Sequence, residues 1–272
     1  MEWRFVMEER DKAIALLDSG VGGLTLVREL RNLLPGENIV YFGDTARMPY
    51  GPRPAAQVQS FALEIMDFLY TAQDIKMVIV ACNTATAVGL EHYRKHFPVP
   101  ILGVLEPGAK AAVNLTRTKR VGVIGTEGTI ASRAYPRTIC QLDESVQVFD
   151  RACPMFVLVV ENQLIDTPET LRVAESYLEP LVRENVDALI LGCTHYPLME
   201  HVIAQVMGES VVLVNSAWFT ASTAREKLAE MDLLRSGSCG WQRFFVSGEP
   251  ANFEQIGRRL LGYDLKAYRV TF

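Results

Sequence analysis

Two cysteines in this sequence follow apolar runs and precede small polar residues. The segment "VIVACNTATA" ends one apolar run at Cys82, and "LILGCTHYPL" ends another at Cys193. A thiol is an acid and a thiolate is a base, so two of them on opposite sides of a carbon atom can remove a proton from one face and return one to the other. If each sulfur lies about 3–3.5 Å from that carbon, the sulfurs are about 7 Å apart, too far for a disulfide bond of about 2.05 Å.

Such thiols need neighbours that move their protons. A free cysteine has a pKa of about 8.5, and only a few per cent of it is ionised near neutrality. The candidates for this help are Asp18, Glu161 and His195. Small polar residues and backbone N–H groups at strand ends can hold the carboxylates of a ligand. The small polar candidates are Ser19, Asn83, Thr84 and Thr194.

The elements that position these residues are predicted from the apolar pattern. Near-continuous apolar runs followed by turn residues are typical of strands buried on both faces, as in parallel sheets. These runs are "AIALLDSG", "NIVYFGD", "MVIVACN", "PILGVLEPG", "RVGVIGT", "VQVFD", "ALILGCT" and "SVVLVNS". Amphipathic stretches lie between them, including "LTLVRELRNLL", "AAQVQSFALEIMDFLYTA" and "PETLRVAESYLEPLVREN". The alternation predicts an α/β fold with mostly parallel sheets.

The chain also resembles itself. "IALLDSGVGGLT" is similar to "VGVIGTEGTIAS", "MVIVACNTATAV" to "ALILGCTHYPLM", and "ILGVLEPGAKAA" to "VVLVNSAWFTAS", in the same order and at similar spacing. We therefore expect two pseudo-symmetric α/β lobes with the active site in the cleft between them. Residues 1–104 with 216–272 would form the first lobe, carrying Cys82, and residues 105–215 the second, carrying Cys193.

Composition excludes several classes of protein. The 272 residues are 49% hydrophobic and carry a net charge of −5, which argues against a nucleic-acid partner. The N-terminus lacks the apolar core of a signal peptide, and no apolar run reaches the 18 residues typical of a membrane span. Five scattered cysteines fit neither a disulfide framework nor a zinc site. We expect a cytoplasmic protein without membrane partner, metal or cofactor.

Simpler interpretations stand beside these. A cysteine outside such motifs is usually a small buried hydrophobe, which is the expectation for Cys140, Cys153 and Cys239. A metal site at Cys193 and His195 is disfavoured, because no second Cys/His pair has zinc spacing. "DSGVGGLT" lacks the third glycine of a nucleotide-binding loop, so its glycines more plausibly let the backbone approach a substrate carboxylate. The remaining histidines, in polar helical surroundings, are expected to face solvent: His92, His96 and His201.

Six motifs in order resemble those of the aspartate/glutamate racemase family, and within it the glutamate racemases. They are "LLDSGVGGLTLVREL", "YFGDTARMPYG", "VIVACNTATA", "GVLEPG", "VGVIGTEGT" and "LGCTHYPL". The similarity runs from about residue 13 to the C-terminus, where "FFVSGEPANFEQIGRRLLG" also fits. The resemblance implies cofactor-independent racemisation of L-glutamate to D-glutamate, which supplies peptidoglycan synthesis.

The resemblance also implies roles for individual residues. Cys82 and Cys193 would be the acid/base catalysts on the D-glutamate and L-glutamate faces. Asp18 would assist Cys82, and Glu161 with His195 would assist Cys193. Substrate contacts would come from Asp18, Ser19, Tyr50, Gly51, Asn83, Thr84, Thr126, Thr129, Thr194 and His195.

Four positions depart from the family pattern, and three other functions stay open. Asn215 replaces a usual aspartate, Trp218 a small residue, Gln163 a glycine and Leu158 a proline. The alternatives are an aspartate racemase or a related amino-acid racemase, a non-catalytic binding protein on the same fold, and a thiol-metal hydrolase. Aspartate racemases tend to carry an acidic residue at the position of His195, so "CTHYP" favours glutamate. Whether the protein is a monomer or a homodimer is open.

Overall fold

Two separate parallel sheets organise the protein, as a computed structural model of residues 8–272 shows. The first sheet has six strands in the order β10-β9-β2-β1-β3-β4, and the second has four in the order β6-β5-β7-β8. The strands β1 to β10 are Ala13–Asp18, Ile39–Gly43, Ile75–Val80, Ile101–Gly103, Arg120–Gly125, Gln147–Ala152, Ala188–Gly192, Val212–Val214, Gln242–Val246 and Ala267–Arg269.

The two sheets share one arrangement. Every pair of neighbouring strands is parallel. The order β2-β1-β3-β4 in the first sheet is repeated as β6-β5-β7-β8 in the second. The three pairs of similar segments in the sequence fall on β1 and β5, on β3 and β7, and on β4 and β8. The predicted pair of similar α/β lobes is confirmed.

Helices cover both faces of each sheet and bury the apolar strands beneath them. Two clusters of buried side chains pack on the first sheet and two on the second. The helices α1 to α11 are Leu24–Leu33, Ala55–Ala72, Asn83–His96, Leu105–Leu115, Glu127–Ala131, Ala134–Leu142, Pro154–Glu161, Pro168–Arg183, Glu200–Met207, Ser216–Glu230 and Pro250–Leu261. None of the helices in residues 8–272 combines the length and the apolar character that crossing a membrane requires.

The predicted helices form where the periodicity placed them, with one shift of the buried face. Helix α1 buries its predicted stripe and ends just before Pro35-Gly36, which cannot continue it. In α2 the helical spacing predicts a buried stripe of Val58, Phe61, Ile65 and Phe68. Val58 and Ile65 are buried, but Phe61 and Phe68 are half-buried, and the rest of the buried face is formed by Ala62, Met66 and Leu69. Large aromatic rings reach the core from the side of a helix, so their spacing alone misplaces the stripe by part of a turn.

The chain passes between the sheets twice, after β4 and after β8. Helix α4 follows the first passage and α10 the second, and these two helices pack against each other. The predicted lobe boundaries, at 104/105 and 215/216, precede α4 and α10 and stay a prediction.

Strands β9 and β10 were not among the predicted strands. They extend the first sheet beyond β2, where Tyr41 pairs with Phe244. Strand β9, "QRFFV", begins with two polar residues, and β10 has only three residues. Strand β10 lies at the edge of the sheet with β9 next to it, and both are partly solvent-exposed. Neither therefore needs the continuous apolar run by which the other strands were predicted.

Candidate active site

The two cysteines occupy equivalent places in the two sheets. Cys82 follows β3 and precedes α3, and Asp18 ends the neighbouring strand β1. Cys193 follows β7, whose neighbour β5 leads into Thr126. In each sheet this pair of strands marks the point where the strand order reverses, which is where ligands bind in open parallel sheets. We call the space between the carboxyl ends of β1 and β3 in the first sheet and of β5 and β7 in the second the cleft. Hydrogen bonds join its two edges.

The Cys82 thiol lies in an almost closed environment. Its side chain is 5% exposed, and its Sγ lies 3.8 Å from Ser19 Oγ. Burial, and then the negative charges of Asp18 and Cys193, raise the pKa of Cys82 to about 12, although backbone N–H at Ala85 and the Ser19 hydroxyl act in the opposite direction. Near neutrality Cys82 is therefore a protonated thiol, ready to act as an acid.

Cys193 belongs to a chain of three side chains. His195 Nδ1 lies 3.6 Å from Cys193 Sγ, and His195 Nε2 lies 2.6 Å from Glu161 Oε1. Burial disfavours the imidazolium ion, but the hydrogen bonds to Cys193 and Glu161 outweigh it and hold the pKa of His195 well above its ordinary value. A protonated ring donates to both neighbours, an arrangement that activates thiols in general. Helix α7 ends at Glu161, which spacing alone did not connect to Cys193.

Asp18 connects the two sides of the cleft. Its carboxylate is fully buried and accepts hydrogen bonds from the backbone N–H groups of Gly23 at 2.9 Å and Gly20 at 3.3 Å. The Thr194 hydroxyl, from the second sheet, lies 3.3 Å from Oδ1. The Tyr41 hydroxyl donates to Gly20 O at 2.8 Å and approaches Asp18 Oδ2 at 3.4 Å. Sequence reasoning missed Tyr41, whose one signal is a hydroxyl within an apolar strand.

Three threonine hydroxyls meet across the cleft. Thr84 Oγ1, in the first turn of α3, lies 2.8 Å from Thr126 Oγ1 and 3.3 Å from Thr129 Oγ1. Thr126 caps α5 by accepting from the Thr129 backbone N–H at 3.2 Å. Beside them, the Tyr135 hydroxyl donates to Asn83 Oδ1 at 2.7 Å. Sequence reasoning did not select Tyr135, because nothing local distinguishes it from a core tyrosine.

Glycines allow the two edges to approach this closely. A Cβ atom on Gly22 would lie 2.5 Å from Thr194 Oγ1, and one on Gly51 would lie 2.7 Å from Thr126 Cβ. The Gly51 carbonyl also accepts from the Gly128 N–H at 2.9 Å. The glycine-rich turn was expected to let backbone approach a substrate. That expectation stays a prediction, and the structure shows in addition that Gly22 makes room for the Thr194 side chain of the other lobe.

The Tyr50 side chain is buried in the same cluster as Cys82 and forms its hydrogen bond with the loop that precedes it. Its ring is buried against Phe61, and its hydroxyl donates to the Asp44 carboxylate. Asp44 also accepts from Arg47 Nε at 2.8 Å and from Ser247 Oγ at 2.6 Å. These bonds hold the loop that carries Gly51. The Tyr50 side chain therefore anchors this loop, and its contact with a ligand stays a prediction.

The other cysteines and histidines give a mixed result. Cys153 is buried, as expected of a small hydrophobe, but the expectation was wrong for Cys140 and Cys239, which are exposed. Cys140 lies on the outer face of α6, and Cys239 lies in the loop before β9. The three helical histidines are solvent-facing as predicted: His92, His96 and His201.

The departures from the family pattern have local explanations in two cases. Asn215 Oδ1 accepts from the Ala217 N–H at 3.0 Å and caps α10, a task that asparagine performs as well as aspartate. Gln163 has a φ of 57°, a conformation that favours the glycine usual at that position. Leu158 and Trp218 are largely exposed, and nothing in the structure explains their replacement of smaller residues.

No group of three or more His, Cys, Asp or Glu side chains is arranged to hold a metal ion within residues 8–272. None of the residues assigned to the substrate is a lysine or an arginine. An anionic ligand in this cleft would therefore be held by N–H and hydroxyl groups at strand ends and helix N-termini.

Alkylation should reveal the protonated state of Cys82. With a pKa of about 12, its thiolate fraction, and so its rate with iodoacetamide, should rise tenfold per pH unit from pH 7 to 10. The exposed Cys140 and Cys239 serve as reference thiols for the reagent. Mass spectrometry of the labelled peptides measures all three thiols in one sample. A Cys82 rate that levels off near pH 8 would contradict the assignment.

The chain is similar to known proteins in sequence and in structure. A sequence model of the Asp/Glu/hydantoin racemase family matches residues 24–224, which is most of the chain. The chain therefore belongs to the Asp/Glu/hydantoin racemase family.

Individual relatives narrow this class. A glutamate racemase from Geobacter metallireducens is 48% identical over 96% of this chain and 97% of its own length. The crystal structure of a glutamate racemase isoform from Bacillus anthracis superposes with a TM-score of 0.94 at 42% identity, covering 97% of this chain and 98% of that one. A Francisella tularensis glutamate racemase in complex with D-glutamate gives a TM-score of 0.90 at 34% identity, covering 96% and 98%. Within the family, the chain belongs with the glutamate racemases.

Proposed function

We propose that the protein interconverts L- and D-glutamate by proton transfer between two thiols, with Cys193 acting on the face that carries the α-hydrogen of L-glutamate and Cys82 on the opposite face. The proposal is supported by membership of the glutamate racemases and by the equivalent placement of the two cysteines at one cleft.

The reaction consists of two proton transfers. The Cys193 thiolate takes the α-proton of L-glutamate, and the electron pair of the C–H bond remains on the substrate as a carbanion. The Cys82 thiol then gives its proton to the opposite face, which yields D-glutamate, a Cys82 thiolate and a Cys193 thiol. Exchange with water restores the first form, and the second form is the one that converts D-glutamate.

Neighbouring groups assist each thiol. The Glu161–His195 pair stands behind Cys193 and can relay its proton, and Asp18 with Ser19 stands beside Cys82. The substrate carboxylates would be held by donors around the cleft. Those donors come from Ser19, Asn83, Thr84, Thr126, Thr129, Thr194 and the backbone at Tyr50-Gly51.

The cellular role follows from the product. D-glutamate is expected to enter peptidoglycan precursors in the cytoplasm, and the chemistry needs no cofactor. A small anionic substrate is the one partner this proposal requires, because the net charge of −5 does not favour nucleic acid. A homodimer is compatible with the proposal.

The observation that carries the proposal is that each sheet brings one thiol to the same cleft. One thiol stands at the end of each central strand pair, Cys82 near Asp18 and Cys193 against the His195–Glu161 pair, and the Thr194 hydroxyl donates to Asp18 across the cleft. A binding protein would need neither thiol, and a metal hydrolase would need a ligand set that residues 8–272 do not provide.

A circular-dichroism assay on L-glutamate and L-aspartate, with and without EDTA, tests the proposal. We expect turnover of glutamate that EDTA leaves unchanged. The shorter side chain of aspartate cannot reach the donors for the distal carboxylate, so its kcat/KM should be lower by about 10²-fold or more. Comparable values for both substrates would indicate another racemase, loss in EDTA would indicate a metal enzyme, and no turnover would indicate a binding protein.

A further inference from the structure

The Tyr135 hydroxyl makes a hydrogen bond that crosses the cleft. Tyr135 lies in the first turn of α6, beside the second sheet, and its side chain is 1% exposed. It donates at 2.7 Å to Oδ1 of Asn83, which opens α3 beside the first sheet and directly follows Cys82. The bond therefore forms only when the two edges of the cleft are close together.

This bond determines which end of the Asn83 carboxamide is left for a ligand. The amide carries an acceptor oxygen and a donor nitrogen at nearly equivalent positions, and rotation about χ2 exchanges them. With the oxygen occupied by Tyr135, Nδ2 remains, and no protein acceptor contacts it within residues 8–272. Asn83 thus presents N–H donors, which attract a carboxylate, instead of an oxygen, which would repel it.

Few other side chains in the cleft can supply such a donor. The threonine hydroxyls of Thr84, Thr126 and Thr129 bond to one another, and the His195 nitrogens face Cys193 and Glu161. In a cleft without lysine or arginine among its assigned ligand contacts, an oriented carboxamide is a large part of the available attraction for an anion.

We infer that Tyr135 is a positioning residue that holds the Asn83 carboxamide with its N–H₂ group toward the substrate once the lobes have closed. The inference rests on the proposed function, because it assumes that Asn83 contacts a glutamate carboxylate. A residue of the second lobe would thus help to form the part of the site that surrounds Cys82.

The surroundings of Tyr135 suit this role. A Cβ atom on Gly192, at the end of β7, would lie 3.1 Å from Tyr135 Cε2, so the ring is packed directly against the strand that delivers Cys193. Burial, and then the charge of Cys193, raise the pKa of Tyr135 above its ordinary value, so the hydroxyl keeps its proton and remains a donor. The phenol is a fixed donor and the carboxamide is the part that can rotate.

Tyr135→Phe tests the role, with Tyr93→Phe as the matched control. Tyr93 is also fully buried, and its hydroxyl donates to Ala85 O at 3.2 Å within α3, without crossing the cleft. Both variants lose one buried hydroxyl. We expect Tyr135→Phe to raise KM for both glutamate isomers about tenfold while kcat changes less than about threefold, and Tyr93→Phe to leave KM within about twofold.

A double-mutant cycle separates positioning from a structural role. In an Asn83→Ala background Tyr135 has no carboxamide to orient, so Tyr135→Phe should add less than about twofold to KM. Calorimetric titration with D-glutamate should show the same pattern in Kd, and this readout does not depend on turnover. If the wild type binds glutamate but does not racemise it, the proposed function fails, and the Kd values alone decide the role of Tyr135.

Two results would overturn the inference. One is a KM and Kd for Tyr135→Phe that match those of Tyr93→Phe. The other is an equal loss from Tyr135→Phe with and without Asn83, which would mean that the hydroxyl acts through general packing. Thermal unfolding of both phenylalanine variants, for which we expect similar decreases in Tm, identifies any variant that fails to fold. In that case the Kd values of the wild type and of Asn83→Ala are compared. Equal values would overturn the inference, because the Asn83 amide would then not contact the ligand.

Discussion

Cys82→Ala and Cys193→Ala should each lower the rate of inversion of glutamate by at least about 10³-fold, because a proton removed on one face must be supplied on the other. Serine at either position should fail nearly as badly, since a hydroxyl is rarely ionised near neutrality. Cys140→Ala, at an exposed thiol on α6, is the matched control and should retain normal activity. Polarimetry or circular dichroism from each isomer measures the rates.

Deuterium oxide separates the two half-reactions. Wild-type protein acting on L-glutamate should place solvent deuterium on Cα of the D-product, because a thiol hydrogen exchanges with water. Cys82→Ala, which retains Cys193, should exchange the α-hydrogen of L-glutamate slowly without inverting it. Cys193→Ala should do the same with D-glutamate only. Near-normal inversion by either variant would mean that one mobile base works on both faces, and the two-thiol mechanism would then be wrong.

His195→Asn should lower kcat for L-glutamate more than kcat for D-glutamate, by about 10²-fold against about tenfold. The reason is that His195 contacts Cys193 Sγ at 3.6 Å and connects it to Glu161, whereas the Cys82 thiol is hydrogen-bonded to Ser19. The two kcat/KM values must fall together, since their ratio is fixed by an equilibrium constant near one. Full progress curves in both directions give all four constants.

His201→Asn is the control for this variant. His201 Nε2 also pairs with a carboxylate, Asp166 Oδ1 at 2.8 Å, but both side chains are exposed and neither thiol takes part in the pair. Its loss should leave both kcat values unchanged. If His195→Asn likewise changes neither kcat, His195 positions backbone or substrate and takes no part in proton transfer.

Much of the fold could be predicted because parallel strands need continuous apolar runs. The repeat of three segments predicted the repeated strand order, since each segment ends a strand at the same place in its sheet. Strands β9 and β10 were not predicted because both are partly exposed. The contact of β9 with β2 decides that it joins the first sheet, and no local pattern records that contact.

The site could be predicted at its strand ends and less well elsewhere. Asp18, Cys82 and Cys193 sit where a strand meets a turn, and that position is visible in the sequence. Glu161 ends a helix and reaches His195 only through the packing of α7, so its connection depended on resemblance. Tyr135 gave no signal at all, because its importance lies in a bond to a residue 52 positions away.

The two passages of the chain between the sheets have a mechanical consequence. A body held by a single tether can rotate about three axes, but two neighbouring tethers suppress twisting and leave rotation about the line that joins them. Here the connections run from β4 into α4 and from β8 into α10, and these two helices pack against each other. We therefore expect any opening of the cleft to be a rotation about this helix pair. Such a rotation would return each sulfur along the same arc and restore the alignment of donor and acceptor.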